Sequence, residues 1–489
     1  MEAIFHQAKK SEWNSLWAGL LFLAFLFLAA VVLPLKASVV ILGGFVALPV
    51  AMLIAFRFAQ GDAEPVVLLW VLVFPLGYYF LAFPKNGSIF NFDRFIIGVL
   101  FFGILLCPVN RMTRVPCPMQ RSAWAWAGFL LAATLSLVTV KLISGSARLL
   151  LEGFIEPAIL GWYLIACFPV LRRLNILHAV VCVTSIYTAA IGLAEMRLGT
   201  DLLPLPGAGE YMAGQEGLLV LRVNGPYLTN NSFGLIGLIS LCFLWFLRSA
   251  IGSQMRKWQR ILHYCGMSAA AAAALMPLFR SIFLTLVIIL CLDLLQKLSW
   301  KQRVLRISLL VIPVLGVIAT MILIPEIFEE RVSDPQNVYG RIAQQQQNFR
   351  LFLDHPLNGV GLNNFHTAAI GRPSVGSYYQ GVESLDFPHS NLGAILAETG
   401  TLGFLPYILS QVFLFGAFWK LRKLGTPAGK LVWRFFLYIF LSYWITGLAL
   451  TSGYYSDLNL WFLFCLAIIY KFGITVEAEH KSETVVTNI

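Results

Sequence analysis

The chain has 489 residues, 58% hydrophobic and 12% charged, with a mean hydropathy of +0.77. No soluble domain of that size hides so much apolar surface, so the bilayer is the expected solvent. The formal net charge of +11 admits a nucleic-acid partner, but in a membrane chain it is first a loop-charge signal, and eight cysteines without a C-x-x-C pair argue against a disulfide or zinc framework.

At the start, MEAIFHQAKK is polar, and no small-residue cleavage site follows the next apolar run. That run is therefore expected to stay as a helix. Apolar runs fall at 15–35, 38–56, 66–83, 95–109, 123–143, 153–171, 174–196, 232–248, 262–279, 281–297, 307–325, 391–418, 433–452 and 456–473. By the ~20-residue criterion they predict an all-α polytopic membrane protein of about 12–14 transmembrane helices. The 95–109 run is short enough to be re-entrant, and 262–279 is alanine-rich and weakly apolar. The cysteines, mostly inside these runs, are expected as small core residues.

Orientation follows from lysine and arginine in short loops. With the N-terminus inside, Arg111, Arg114 and Arg121 are cytoplasmic, as are Arg172 and Arg173. So are the clusters at Arg256, Lys257 and Arg260, at Arg303 and Arg306, and at Lys420, Arg422 and Lys423. Most of the positive charge is thus a topology signal, and no nucleic-acid partner is expected. The predicted organisation is N-terminal helices over 1–197, an outer loop over 198–231 and central helices over 232–325. A large outer loop over 326–390, C-terminal helices over 391–473 and a cytoplasmic tail over 474–489 complete it. Outer loops of this length are functional or disordered as a rule; these carry aromatics and Gly/Pro turns, which predicts order.

Few basic residues fall outside. Arg222 lies in LRVNGPYLTNNSFG, Arg280 in PLFRSIF, Arg341 in VYGRIAQQQQNF, and His389 opens the run that starts near Asn391. All four emerge on one face. An arginine at a membrane boundary can simply snorkel to headgroups. Arg222, however, leads through turn residues into a helix start, where free N–H groups favour an anion. Arg280 interrupts an otherwise continuous apolar hairpin. Guanidinium groups bind phosphate bidentately and stay charged, so several converging on one cleft suit a diphosphate.

Within the large loop, Gly340–Leu353 has helical period, and Asp354–His366 (DHPLNGVGLNNFH) is rich in turn residues. His355, His366 and His389 lack close ligand spacing and an acidic companion, so no metal site is expected of them. His389 differs from the other two. Ser390 or Asn391 can cap the helix that follows, and Gly393, Ala397 and Gly400 form a small-residue stripe for close packing. Glu398 inside this apolar run reads as a packed or protonated carboxyl group. The chain has no Walker A motif, no D-x-D and no G-x-S-x-G. Nucleotide-driven transport, nucleotide-sugar transfer and a serine-hydrolase elbow are disfavoured accordingly.

HSNLGAILAETGTLG fits H-[NSQ]-x9-G-x-x-G through His389, Ser390, Gly400 and Gly403. It resembles the signature of the O-antigen ligase superfamily, which also takes in Wzy-type polysaccharide polymerases and bacterial O-oligosaccharyltransferases. GRIAQQQQNFRLFLDHPLNGVGLNNF, RVNGPYLTNNSFG and LFRSIF are similar to the family's other segments, and the resemblance runs from about Leu221 to Phe415. It implies a metal-independent, GT-C-like glycosyltransferase of the inner membrane, without cofactor, whose site faces the periplasm. The donor would be a glycan on undecaprenyl diphosphate. The acceptor would be a hydroxyl on lipid A–core, on a growing glycan or on a protein. The resemblance assigns Arg222, Arg280 and Arg341 to the donor diphosphate and His389 to the acceptor. A lipid-linked oligosaccharide transporter is the competing class; it would be expected to show paired repeats and midplane charges.

Overall fold

The computed structural model describes residues 63–80, 91–107, 112–140, 143–199, 223–227, 229–277, 279–296, 336–370 and 388–487, with a few short pieces between them. The apolar runs at 15–35, 38–56 and 307–325 lie outside the described residues. Those described are helical. They form α1 (Glu64–Phe80), α2 (Phe92–Leu106), α3 (Cys117–Ser136) and α4 (Ile143–Leu149). A π-helical turn, Leu150–Ile155, carries α4 into α5 (Glu156–Ala166). Next come α6 (Val170–Leu198), α7 (Asn230–Ile251), α8 (Lys257–Leu275) and α9 (Arg280–Leu294). The large loop contributes α10 (Gln336–Asp354) and the short α11 (Phe365–Ile370). The C-terminal part is α12 (Asn391–Lys423), α13 (Pro427–Ala449) and α14 (Ser456–Thr487). Two ribbons of two-residue antiparallel strands, β1 (Tyr211–Met212) with β2 (Val220–Leu221) and β3 (Tyr378–Tyr379) with β4 (Val382–Glu383), lie between α6 and α7 and between α11 and α12.

Seven helices among the described residues are long and apolar enough to cross a membrane. They are Cys117–Thr139, Ile143–Ala166, Val170–Leu198, Asn230–Ile251, Asn391–Lys423, Pro427–Leu448 and Ser456–Glu479. The chain is an all-α polytopic membrane protein. The runs at 95–109 and 262–279 form helices of 15 and 19 residues, α2 and α8, neither of them among those seven. Of the cysteines, Cys182, Cys242 and Cys465 are buried as expected, whereas Cys117, Cys265 and Cys291 are exposed.

One apolar core joins α1, α2 and α5–α9 to α13 and α14, with aromatic rings such as Trp70, Phe243 and Trp461 fully enclosed. A second cluster joins α3, the π turn and α12 through Phe129, Phe154, Ile395 and Tyr407. Hydrogen bonds tie helix ends together at both extremes of the bundle. At one extreme, Arg173 pairs with Glu64 at 2.5 Å and the Lys471 ammonium donates to the Ile165 carbonyl at 2.8 Å. At the other, Asn231 Nδ2 donates to the Tyr455 hydroxyl, Ser232 to Asp457 and Asn391 to Ser452. The starts of α7, α12 and α14 therefore share one end. Ile282 packs on Gly234 of α7 and brings the start of α9 to that end as well. The alternation read from the apolar runs places these starts together.

Candidate functional site

The site is built around a break in α12. The sequence predicts one continuous apolar helix over 391–418, but Gly400 leaves the helical region at φ 59°, ψ −164°. That conformation is open almost exclusively to glycine. The break frees backbone groups that a helix would have consumed, and the large loop consumes them instead. Val360 N–H donates to the Ala397 carbonyl at 3.0 Å and Gly361 N–H to the Glu398 carbonyl at 2.9 Å. In return, Thr401 N–H donates to Pro356 O at 2.9 Å and Leu402 N–H to Leu357 O at 3.1 Å. The turn His355–Phe365 is thereby plugged into the helix. A Cβ on Gly400 would overlap the Leu357 carbonyl, and one on Gly359 would overlap the backbone of Glu398.

Side chains lock the plug. Leu362 is fully buried among Phe129, Phe154 and Ile395, and its N–H donates to Ser136 Oγ at 3.1 Å. Val360, Phe365 and Ala369 pack with Leu351 of α10 and Ala397 of α12. Glu398 is buried and accepts from Asn363 N–H at 2.7 Å, from Phe365 N–H at 3.2 Å and from the Tyr454 hydroxyl. The acid that looked odd in an apolar run is the hub that ties turn, helix and the 452–454 segment. The Gly393–Ala397–Gly400 stripe does allow close packing, as expected of small residues, but its partner is the folded loop.

His389 sits just above the first half of α12. Ser390 caps that helix by accepting Gly393 N–H at 3.3 Å. His389 itself takes a left-handed φ of 41°, which costs a residue with a β-carbon about 1–2 kcal/mol. Asn348 of α10 donates its amide N–H to the Pro388 carbonyl at 3.0 Å, on the residue before. The imidazole is half-buried, and its pKa is pushed down to about 4, first by burial and next by the Arg341 guanidinium. It is therefore neutral near pH 7, the form that accepts a proton.

The four expected residues fare differently. Arg341, exposed on α10, faces His389 closely enough to influence its charge, and its Nη1 donates to Gln344 at 3.4 Å. Arg280 is exposed at the first position of α9, on the end of the bundle that holds the start of α12. Arg222 lies outside the described residues, but the turn just after it is firmly held: Gly225 N–H donates to Glu195 at 2.7 Å. His355 and His366 are exposed.

Sequence reasoning missed several groups. Asn348 ends a Gln344–Asn348 run whose Gln344, Gln347 and Asn348 are buried, a face readable from spacings of three and four. Glu152, on the π turn, binds Arg94 at 2.5 Å and Arg148 at 2.9 Å. With Asn91, Asp93, Tyr227 and Asp457 it lines a small cleft at the same end as His389. An acid at the edge of an apolar run, four residues after an arginine, was the available signal. Well away from His389 in the chain, His178, Cys182 and His263 converge between α6 and α8, their ligand atoms within 4.8 Å of one another. The two imidazoles hydrogen-bond at 3.1 Å.

Residues 265–408 match the family described as O-antigen ligase. That stretch is similar to the O-antigen ligase family. The match runs from the middle of α8 through α9 and the large loop into the broken first part of α12, so it covers Arg280, Arg341 and His389 together. No curated protein matches the chain. The similarity supports a membrane glycan ligase or polymerase in general, of glycosyltransferase type.

Proposed function

We propose that the protein transfers a glycan from undecaprenyl diphosphate to an acceptor hydroxyl at the periplasmic face of the inner membrane, as an O-antigen ligase or polysaccharide polymerase. The observation that carries this reading is the pairing of a neutral imidazole, His389, with a fixed cation, Arg341, where α10 docks at the start of α12. The acceptor oxygen attacks the anomeric carbon while the bond from that carbon to the diphosphate oxygen breaks. The electron pair leaves with the diphosphate, and the acceptor proton passes to His389 Nδ1 or Nε2. Direct displacement inverts the anomeric centre.

The diphosphate departs with its charge already delocalised, so the protein's task is to stabilise that charge and to orient an alcohol. In this reading Arg280 and Arg341 face the diphosphate, joined by Arg222, and no metal ion is required. Both termini and the basic clusters lie in the cytoplasm, and the loops over 198–231 and 326–390 are periplasmic. The boundaries 1–197, 232–325, 391–473 and 474–489 divide the remaining helices and tail.

The test is transfer by purified protein from a lipid-linked donor, with products resolved by mass. His389→Ala is expected to reduce transfer about 10²–10⁴-fold with the fold intact; near-normal transfer sinks the role of His389. Arg280→Lys and Arg341→Lys keep charge and lose the fork, and unchanged donor affinity in both argues against diphosphate binding. A ladder of repeats identifies a polymerase, one block on a core lipid a ligase, and a glycoprotein the O-oligosaccharyltransferase variant.

A further inference from the structure

We propose that Asn348 is a positioning residue for His389, acting through the carbonyl of Pro388. The inference rests on the reading of His389 as the acceptor-side group. Asn348 is 2% exposed, and its amide N–H reaches the Pro388 carbonyl at 3.0 Å. That carbonyl belongs to the peptide whose nitrogen is that of His389. Because a peptide unit is planar, holding its oxygen holds the plane about which the φ of His389 is defined. The φ of 41° is one that a residue with a β-carbon seldom adopts unaided. On the other side, Ser390 is fixed by its cap to Gly393 N–H. The imidazole is thus carried on a backbone pinned before and after it.

Room for the latch is made by Gly393. Any Cβ there would overlap the Asn348 amide, so the glycine and the asparagine are two halves of one device on opposing elements. The same helix presents Arg341, seven residues earlier and hence on nearly the same face as Asn348. Gln344, between them, accepts from Arg341. Docking of α10 on α12 therefore does two things at once: it sets a cation beside the imidazole and latches the backbone that aims the imidazole.

The test uses the full-length protein in detergent or nanodiscs with a lipid-linked glycan donor. Asn348→Leu keeps the volume and loses the donor. Asn348→Asp keeps the shape and turns the donor into an acceptor. Gly393→Ala displaces the latch from the other side. For a positioning role, kcat falls about 10–100-fold in all three, the donor KM stays within about twofold, and carbethoxylation of His389 speeds up as the ring loses its fixed place. A merely structural contact lowers the unfolding temperature without that split between kcat and KM and without a change in His389 reactivity, which overturns the proposal. Should Asn348→Leu fail to fold, Asn348→Asp and Gly393→Ala report on the same latch. Wild-type kcat in folded Asn348 variants, together with an inactive His389→Ala, refutes positioning alone; full activity of His389→Ala refutes both positioning and the acceptor-side reading.

Discussion

Gly400→Ala is the substitution for which the structure gives the most definite consequence. Gly400 sits at φ 59°, ψ −164°, and a Cβ there would overlap the Leu357 carbonyl. Strain alone in that region costs about 1–3 kcal/mol. The overlap adds a second loss, because the turn must move outward. Four backbone hydrogen bonds cross the break, between Pro356, Leu357, Val360 and Gly361 on one side and Ala397, Glu398, Thr401 and Leu402 on the other. At about 1 kcal/mol net each, losing them all costs about 4 kcal/mol. Exposing Leu362 adds about 2 kcal/mol. The chain takes the cheaper mixture of strain and displacement, so the expected destabilisation is about 3–6 kcal/mol. The measurement is unfolding by SDS titration in mild detergent, with hydrogen exchange at the amides of Val360, Gly361, Thr401 and Leu402. Those four amides should lose protection together. Gly403→Ala is the internal comparison: a Cβ there meets the Thr399 side chain, which can rotate at the loss of its bond to Ile395 O, at a cost of about 1 kcal/mol. A Gly400→Ala protein within about 1 kcal/mol of wild type, with all four amides still protected, would show that the break does not depend on glycine.

Glu398→Gln keeps an acceptor for one backbone N–H but places an amide donor against the others, so the turn should loosen with a stability loss of about 1–2 kcal/mol, read as faster exchange at Asn363 and Phe365. His389, with its pKa at about 4, should leave transfer flat from neutral pH down to about pH 5 and give an acid limb only near 4; Arg341→Gln removes the second cause of the depression and should move that limb upward. In stability the sign is the same: the unfolded imidazole binds its proton at higher pH, so the contribution present above about 6.5 is lost as pH falls towards 4. Gln347 is fully buried with neither amide atom hydrogen-bonded among the described residues, and Gln347→Met should raise stability by about 1 kcal/mol, read by the same SDS titration.

Much of the frame was legible because burial in lipid leaves a coarse, redundant record: about 20 apolar residues per crossing, with turn residues in the long connections between them. The helix over 340–353 and the turn over 354–366 were readable for the same reason, from period and from Gly/Pro punctuation. The break in α12 was not. A single glycine in an apolar run is usually tolerated within a helix, and nothing local states that a segment some forty residues upstream will supply the missing backbone partners. The role of Asn348 was hidden on similar grounds: spacing marks its buried face, but its partner is a main-chain carbonyl, which any residue could offer. The charges around Glu152 carried a local signal, an arginine four residues before an acid, but their meeting with Arg94 depends on how α2 packs.

The distance between histidine and glycines in H-x10-G-x-x-G now has a physical content. Between Ser390 and Gly400 lies a half-helix of nine residues, Asn391–Thr399, held at each end by a different part of the large loop. At its start, Asn348 grips the Pro388 carbonyl, and Asn391 is locked to Ser452 and to Gly453 N–H. At its end, the His355–Phe365 turn occupies the break. A peg fixed at both ends transmits the placement of one to the other: lengthening it by one residue would rotate His389 about 100° away from Arg341 while leaving the plug in register. The spacing is thus a constraint on the imidazole's direction, and the glycines serve His389 by anchoring the peg from which it projects.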